Sequence, residues 1–222
     1  MSKSNAGRIG VWGASGSGKS SYVKQQVAQV RRLIVFDPLG EYEATQVQTV
    51  EQVRAAMRAS FGAFRLALHC RTGSEGAELS KLCRLLMAAQ QPYKDSGGRR
   101  GAGLTLVVEE MNLSFPVSGG AARCPGFAEV CSRGRHYGIQ VYGVSQRIAE
   151  VDTRFRGNCT ETVVFRQKGQ RDRAAAAAEL GCSTGDLPSD NLQFVHEKAG
   201  LLTKGSVTFP AGRKSRSRTK TG

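Results

Sequence analysis

The sequence predicts an α/β fold in which a mainly parallel sheet is flanked by helices on both faces. Two observations predict this fold. Short apolar runs alternate along the chain with longer segments that have helical spacing. In addition, a glycine-rich turn at residues 13–20 follows the first apolar run and leads directly into the first helical segment. Strands that alternate with helices are joined by crossover connections, so neighbouring strands run parallel and both faces of the sheet are buried.

The elements follow one another in a regular order. The expected strands are short, apolar and bounded by Gly, Pro or polar residues, and they cover residues 8–12, 33–36, 64–68, 104–108, 139–144 and 162–165. The expected helices have apolar residues three or four apart or a run of alanines, and they cover residues 19–30, 50–60, 76–89, 127–135 and 171–180. Residues 95–103 (DSGGRRGAG) are expected to form a flexible basic loop. Residues 192–196 and 206–209 are expected to close the sheet as a strand pair.

Composition narrows the possible functions. The chain has 222 residues, is 40% hydrophobic, and carries a formal net charge of +14. No apolar stretch is long enough for a transmembrane helix, and the amino terminus lacks a secretory signal. The six cysteines include no C-x-x-C pair, which argues against structural zinc. A basic balance of this size favours a polyanionic partner, with nucleic acid ahead of an anionic membrane surface.

The charge is not confined to one end of the chain. Residues 213–222 (RKSRSRTKTG) contain five basic residues and no apolar one, which predicts a disordered tail. Without that tail the formal charge is still +9. We therefore expect one folded domain over residues 1–212, itself basic, followed by a basic tail.

The glycine-rich turn matches the Walker A (P-loop) pattern G-x-x-x-x-G-K-[ST]. In such a loop the backbone N–H groups point inward at a phosphate, and the following helix adds its positive end. Lys19 can then reach the β- and γ-phosphates, while the Ser20 hydroxyl can bind Mg²⁺. The expected cofactors are ATP and Mg²⁺. The predicted nucleotide-binding residues are consecutive: Gly13, Ala14, Ser15, Gly16, Ser17, Gly18, Lys19, Ser20 and Ser21.

A second motif is the apolar strand at residues 104–108 followed by two acidic residues. This is a Walker B pattern, in which the first carboxylate, Glu109, holds Mg²⁺ through water and the second, Glu110, polarises the attacking water as a general base. The first acid of this pattern is usually Asp, so Glu109 has one additional methylene. The alternative is a solvated acidic turn.

Polar residues also follow the strand at residues 139–144. Gln146 at its tip can hydrogen-bond the γ-phosphate or the attacking water. Just upstream, Arg133 and Arg135 suit an arginine finger that enters a neighbouring subunit's ATP site. The alternatives for these two arginines are a solvated helix end and a DNA contact.

Together these residues resemble the FtsK/HerA superfamily of P-loop ATPases, which translocate DNA. Residues 37–42 (DPLGEY) are similar to the D-P-x-G-E-Y segment of HerA-like members. Residues 134–147 (GRHYGIQVYGVSQR) look like their arginine, strand and terminal glutamine, and residues 156–158 (RGN) before ETVVF look like the segment that follows. With both Walker motifs the resemblance spans roughly residues 8–190. It implies a P-loop NTPase fold of the RecA/ASCE type.

The short chain resembles one branch of this family, the DNA-packaging ATPases of tailless icosahedral phages with an internal membrane and of related archaeal viruses. That resemblance implies a ring, expected to be a hexamer, that pumps double-stranded DNA into a preformed capsid. It also implies capsid or portal-vertex partners and a location in the host cytoplasm or the virion. In the family's pattern Arg135 matches the trans-acting arginine best, with Arg133 as the second choice.

Two loops are candidates to line the channel of such a ring. One, residues 96–103, carries Arg99 and Arg100, and the other, residues 114–125, carries Arg123. Basic side chains there would contact backbone phosphates without reading sequence. The alternative is that both loops are simply solvated.

Other functions remain open at this point. One is another minimal DNA pump of the same superfamily, used in conjugation or filamentous-phage assembly. Another is a small-molecule or nucleotide kinase, which shares the Walker A motif but transfers phosphate to a bound acceptor rather than to water. A third is a basic virion protein that binds nucleotide only structurally.

Overall fold

The computed structural model describes residues 6–209. The proposed tail at residues 213–222 lies outside the described residues. Within them the strands, in chain order, are Arg8–Trp12 (β1), Arg32–Phe36 (β2), Thr45–Val47 (β3), Phe64–Leu68 (β4), Leu104–Val108 (β5), Ile139–Ser145 (β6), Glu161–Phe165 (β7), Gln193–Lys198 (β8) and Leu201–Ser206 (β9). The α-helices are Lys19–Gln26 (α1), Val50–Ala59 (α2), Glu75–Ala89 (α3), Gln91–Asp95 (α4), Met111–Ser114 (α5), Gly120–Arg123 (α6), Pro125–Arg133 (α7), Thr153–Arg156 (α8) and Gln170–Leu180 (α9). Short 3₁₀ turns cover Gly134–Tyr137 and Ile148–Glu150.

The described strands form one nine-stranded sheet in the order β3-β4-β2-β5-β6-β1-β7-β8-β9. The first seven strands of that order are parallel, and β8 and β9 run antiparallel at one edge. Five consecutive strands in the middle of the sheet are almost completely buried, because helices cover both of its faces. They are β2, β5, β6, β1 and β7. The predicted α/β class with a mainly parallel sheet is confirmed.

Two apolar cores sandwich the sheet. The larger core packs side chains of α2, α3, α7 and α9 against one face, around Trp12, Phe36 and Phe127. The smaller core packs α1 against the other face through Tyr22 and Val23. No helix of residues 6–209 combines the length and the apolarity that spanning a bilayer requires.

The first predicted helix and the predicted closing strand pair have different bounds in the structure. The first helix ends at Gln26 rather than at residue 30, because the chain tightens into i→i+3 turns (Ala28 N–H to Gln25 O, 3.3 Å; Val30 N–H to Val27 O, 3.1 Å) before it enters β2. The closing strand pair is β8 with β9 rather than with residues 206–209. Ala199 and Gly200 both have positive φ (52° and 82°), the conformation of a tight two-residue hairpin turn, so β9 begins at once after β8.

Three further segments also differ from the sequence-based prediction. The loop at residues 114–125 includes the short helix α6, and the predicted helix at residues 127–135 begins at Pro125 and gives way to a 3₁₀ turn after Arg133. Residues 96–103 form turns in which Gly97, Gly98 and Gly101 have positive φ.

Candidate functional site

The Walker A turn, the Walker B acids and Gln146 lie at the same edge of the sheet. In the parallel register Trp12 is paired with Ser145, and Val108 is paired with both Phe36 and Gly143. The residues that follow these strand ends therefore meet at the carboxyl edge, where ligands bind in open α/β sheets.

The Walker A loop is held by its neighbours on both sides. The N–H of Gly13 donates to the Ser145 carbonyl (3.3 Å), and the N–H of Ala14 donates to the Arg166 carbonyl (2.9 Å). Gly16 (φ 72°) and Gly18 (φ 112°) adopt left-handed conformations that residues with a Cβ rarely reach. The loop thus wraps tightly into α1, whose first N–H groups have no partner within the helix.

A residue far along the chain also supports this loop. The N–H of Leu192 donates to the Ser17 carbonyl at 2.7 Å, and the Leu192 side chain lies against Gly18. Leu192 has φ 69°, an uncommon conformation for a leucine. Sequence reasoning missed Leu192, because nothing in the local pattern indicates that the turn before β8 packs on the Walker A loop.

Lys19 lies where a phosphate-binding lysine is needed. Its side chain is buried and donates to the Ala14 carbonyl at 3.1 Å. Burial lowers the pKa of Lys19, and the nearby carboxylates of Glu110 and Glu109 act in the opposite direction. The ammonium is therefore poorly solvated, and an anionic ligand would stabilise it.

The serines of the loop differ in their exposure. The Ser17 hydroxyl is buried and has no hydrogen-bond partner among the described residues. Ser15 is exposed, and Ser20 and Ser21 are half-buried in the first turn of α1. An orphaned hydroxyl and free helix N–H groups around one loop are what an oxyanion ligand would satisfy.

Glu109 is buried next to Tyr42. The Tyr42 hydroxyl donates to Glu109 Oε1 at 2.7 Å, and Glu109 is only 7% exposed. Burial raises the pKa of Glu109 to about 7, and the Tyr42 hydrogen bond and the Lys19 charge partly offset this. Burial also raises the pKa of the Tyr42 hydroxyl, so the tyrosine remains the donor.

Glu110 points towards Gln146. The Gln146 side-chain amide donates to Glu110 Oε1 at 3.2 Å, although 36 residues separate them. Glu110 has φ 42°, a left-handed conformation that is strained for a glutamate and that persists where the surroundings enforce it. The structure therefore brings together the two residues that the sequence assigns to the attacking water.

Oxygen donors that suit Mg²⁺ are present at the same edge. Mg²⁺ prefers carboxylate, hydroxyl and phosphate oxygens. Two such oxygen donors are the Ser20 hydroxyl, at the start of α1, and the buried Glu109 carboxylate. The Glu109 carboxylate is near enough to Lys19 for its charge to raise the pKa of that lysine. The residues present thus fit a magnesium–nucleotide complex.

The two candidate finger arginines lie at the opposite edge of the sheet. Arg133 and Arg135 precede β6, whereas Gln146 follows this strand of seven residues, a length of about 20 Å. Both are exposed, and Arg133 is 3.5 Å from Glu129, whereas Arg135 has no ion-pair partner within residues 6–209. Neither arginine can complete the nucleotide site of its own chain.

The candidate DNA-contact residues are divided between the two edges. Arg99 and Arg100 precede β5 and are exposed at the amino edge, beside the turn that carries Arg135. Gln90 ties the two segments together, since its amide donates to the carbonyls of Ala102 (3.1 Å) and Tyr137 (2.9 Å). Arg123 ends α6, is exposed, and lies on the carboxyl side, where the chain continues from β5.

The sequence has measurable similarity to a phage protein. No family model matches it. It is 29% identical over 151 residues to Protein P9 of Pseudoalteromonas phage PM2, a region that covers 67% of this chain and 63% of P9. The chain therefore spans less than two thirds of the length of that curated relative.

The structure is similar to solved structures over nearly its whole length. The genome packaging NTPase B204 from Sulfolobus turreted icosahedral virus 2, in complex with AMPPCP, superposes with a TM-score of 0.70 at 13% identity, over 92% of this chain and 98% of B204. The chain has a P-loop NTPase fold. The fold that the FtsK/HerA resemblance implies is thus confirmed.

Two further solved structures share this architecture. The cytoplasmic domain of the Type VII secretion ATPase EccC from Thermomonospora curvata has a TM-score of 0.61 at 16% identity, over 93% of this chain and 26% of EccC. The pCW3 conjugation coupling protein TcpA has a TM-score of 0.61 at 15% identity, over 93% of this chain and 61% of TcpA. At such identities the likeness concerns the fold, and function depends on the site of this P-loop NTPase.

Proposed function

We propose that this protein is an ATPase that drives double-stranded DNA into a preformed viral capsid. The observation that carries the proposal is the hydrogen bond between Gln146 and Glu110, at the same sheet edge as the Walker A lysine. A carboxylate and an amide that meet beside a phosphate-binding loop are suited to orienting and deprotonating a water. Hydrolysis, rather than transfer to a bound acceptor, needs that arrangement.

Each residue of the site has a distinct role in this proposal. The loop of residues 13–21 and the Lys19 ammonium bind the phosphates, and Ser20 and Glu109 hold the metal. When bound, Mg²⁺ would neutralise charge on the β- and γ-phosphates. Glu110 accepts the proton of the attacking water, and the Gln146 amide holds that water in line with the γ-phosphate.

Charge and similarity support DNA as the cargo. The chain carries +14, and exposed arginines are present at both edges of the sheet. Contacts of this kind bind backbone phosphates without regard to sequence. The fold of a viral genome packaging NTPase and the sequence similarity to a phage protein support capsid filling as the setting.

The position of the arginines supports a ring. Because Arg135 lies at the edge opposite its own site, it can act as a finger only in the site of a neighbouring copy. We propose a homo-oligomeric ring, a hexamer, in which Arg135, or failing that Arg133, enters the adjacent site. The ring would assemble in the host cytoplasm on the portal vertex of the capsid, or remain there in the virion.

A second candidate is a DNA pump for conjugation, which the shared fold with the coupling protein TcpA favours. The same site would then hydrolyse ATP with the same dependence on DNA. The two settings differ in the partner, which is a capsid vertex in one and a membrane transfer channel in the other.

The test is ATP hydrolysis by the purified protein with and without double-stranded DNA at two salt concentrations. We expect DNA to stimulate hydrolysis, the stimulation to fade as salt rises, and Lys19→Ala to show no turnover. Hydrolysis at one rate under all conditions would contradict a DNA motor. Phosphate transfer to a nucleoside monophosphate instead of water would favour a kinase.

A further inference from the structure

The Glu109 carboxylate has a hydrogen-bond partner, Tyr42, that lies outside the Walker B motif. The Tyr42 hydroxyl donates to Glu109 Oε1 at 2.7 Å, and the two residues are 6% and 7% exposed, respectively. Tyr42 follows β2 and Glu109 follows β5, so the contact joins the ends of adjacent parallel strands. A hydrogen bond from a buried hydroxyl to a carboxylate is among the stronger ones in proteins.

Tyr42 itself is rigidly held. Its N–H donates to Asp37 Oδ2 at 2.8 Å, and the other oxygen of Asp37 accepts the N–H of Gly40 at 3.0 Å. Asp37 is buried, so the turn after β2 has a fixed shape. Tyr42 therefore presents its hydroxyl to Glu109 from a preformed backbone.

The same turn contacts the Walker A helix. The Lys24 ammonium of α1 donates to the Glu41 carbonyl at 2.9 Å and lies 4.9 Å from the centre of the Tyr42 ring. Lys19, five residues earlier on α1, is close enough to Glu109 that their charges affect each other's pKa. The turn after β2 thus bridges the Walker A helix and the Walker B carboxylate.

A purely structural role would not need the Tyr42 hydroxyl to meet this particular carboxylate. Glu109 is one methylene longer than the aspartate usual in this pattern, and the added torsion gives its carboxylate more freedom. The hydrogen bond from the Tyr42 hydroxyl to Glu109 Oε1 limits that freedom. It also fixes the direction in which the other carboxylate oxygen faces a metal ion.

We propose that Tyr42 is a positioning residue that orients the Glu109 carboxylate for the metal–nucleotide complex. The inference rests on the ATPase activity proposed above and adds a residue to it. Tyr42 acts through Glu109 and does not contact the substrate.

The first test is a double-mutant cycle between Tyr42→Phe and Glu109→Asp, with kcat and KM for ATP measured separately. Tyr42→Phe should lower kcat/KM for ATP in the presence of Mg²⁺ about tenfold, the size expected for one hydrogen bond to a charged group. In the Glu109→Asp variant the shorter carboxylate no longer reaches the Tyr42 hydroxyl. Adding Tyr42→Phe to this variant should therefore lower kcat/KM by less than about twofold. Tyr142→Phe removes another buried tyrosine hydroxyl, which accepts from Gln140 at 3.3 Å, and is the matched control.

A second readout does not depend on turnover. The affinity for a fluorescent ATP analogue is measured with and without Mg²⁺. Tyr42→Phe should leave the affinity without Mg²⁺ unchanged and reduce the gain that Mg²⁺ provides, whereas Tyr142→Phe should change neither. Unfolding midpoints of the variants verify that each is folded.

The outcomes separate this inference from the proposed function. A wild-type protein without ATPase activity would overturn the proposed function. An active wild type with Tyr42→Phe unchanged, or with the same loss in both Glu109 backgrounds, would overturn the role of Tyr42 alone. A loss of affinity for the analogue with and without Mg²⁺ alike would assign Tyr42 to the structure of the pocket instead.

Discussion

The side-chain amide of Gln146, just after β6, donates a 3.2 Å hydrogen bond to the carboxylate of Glu110, just after the adjacent strand β5. Gln146 follows β6, which lies between the Walker A strand β1 and the Walker B strand β5. The two side chains therefore meet at the carboxyl edge of the sheet, which also carries the Walker A loop. This contact is the geometric basis for assigning water activation to the pair.

Replacing Glu110 tests that assignment. Glu110→Gln should bind ATP as the wild type does but lose hydrolysis by about a hundredfold or more, because only the proton acceptor is removed. Gln146→Ala should lower kcat less, because the base remains. Gln140→Ala, which changes the same residue type at the other end of β6, is the control, and binding and turnover are measured for all three. Hydrolysis at the wild-type rate by Glu110→Gln would exclude Glu110 as the base.

Subunit mixing tests the arginine finger. Arg135→Ala should bind ATP and lose hydrolysis by about a thousandfold, the scale of a missing arginine finger. Mixing it with Lys19→Ala should restore part of the activity, because some interfaces would combine an intact Walker A loop with an intact Arg135. Arg133→Ala is the comparison, since Arg133 already faces Glu129. If no mixture regains activity, Arg135 does not act in trans.

The buried Glu109 predicts a pH-dependent stability of the nucleotide-free protein. Its pKa is raised from 4.5 to about 7, so between these values the folded state holds a proton that the unfolded state releases. Folding stability from this group therefore falls as pH rises through that range, by up to about 3 kcal/mol. Glu109→Gln should be more stable than the wild type near pH 8 and similar near about pH 5. Unfolding midpoints across pH measure this, with Glu129→Gln as an exposed control; a stability difference that does not change with pH would contradict it.

The arginines at the two edges can be tested separately for DNA contact. Changing Arg99 and Arg100 together to Ala should make the slope of log K for DNA binding against log salt concentration shallower by about two. Each phosphate contact contributes about 0.9 to that slope. The double change Arg54→Ala and Arg58→Ala on α2 removes the same charge from exposed positions elsewhere and is the control. Arg123→Ala should reduce the slope by about one if the carboxyl-side loop also contacts DNA. Identical slopes for the Arg99/Arg100 variant and the control would indicate a nonspecific charge effect.

The alternation of apolar runs and helical segments was sufficient to predict the central strands and the sheet class, because it reflects local periodicity. The hairpin of β8 and β9 was misplaced, since Leu201, Leu202, Thr203 and Lys204 are all exposed and show no alternation. The contacts of Tyr42 with Glu109 and of Leu192 with Ser17 could not be predicted. Both join residues far apart in the chain, and each depends on the sheet order rather than on a local pattern.

The most direct test of the proposed motor is displacement of a triplex-forming strand from linear double-stranded DNA by the purified protein. We expect the wild type to displace the third strand only with ATP and Mg²⁺, and Lys19→Ala and Glu110→Gln to leave it in place. DNA-stimulated ATP hydrolysis by the wild type, with no more displacement than Lys19→Ala produces, would contradict translocation as the function.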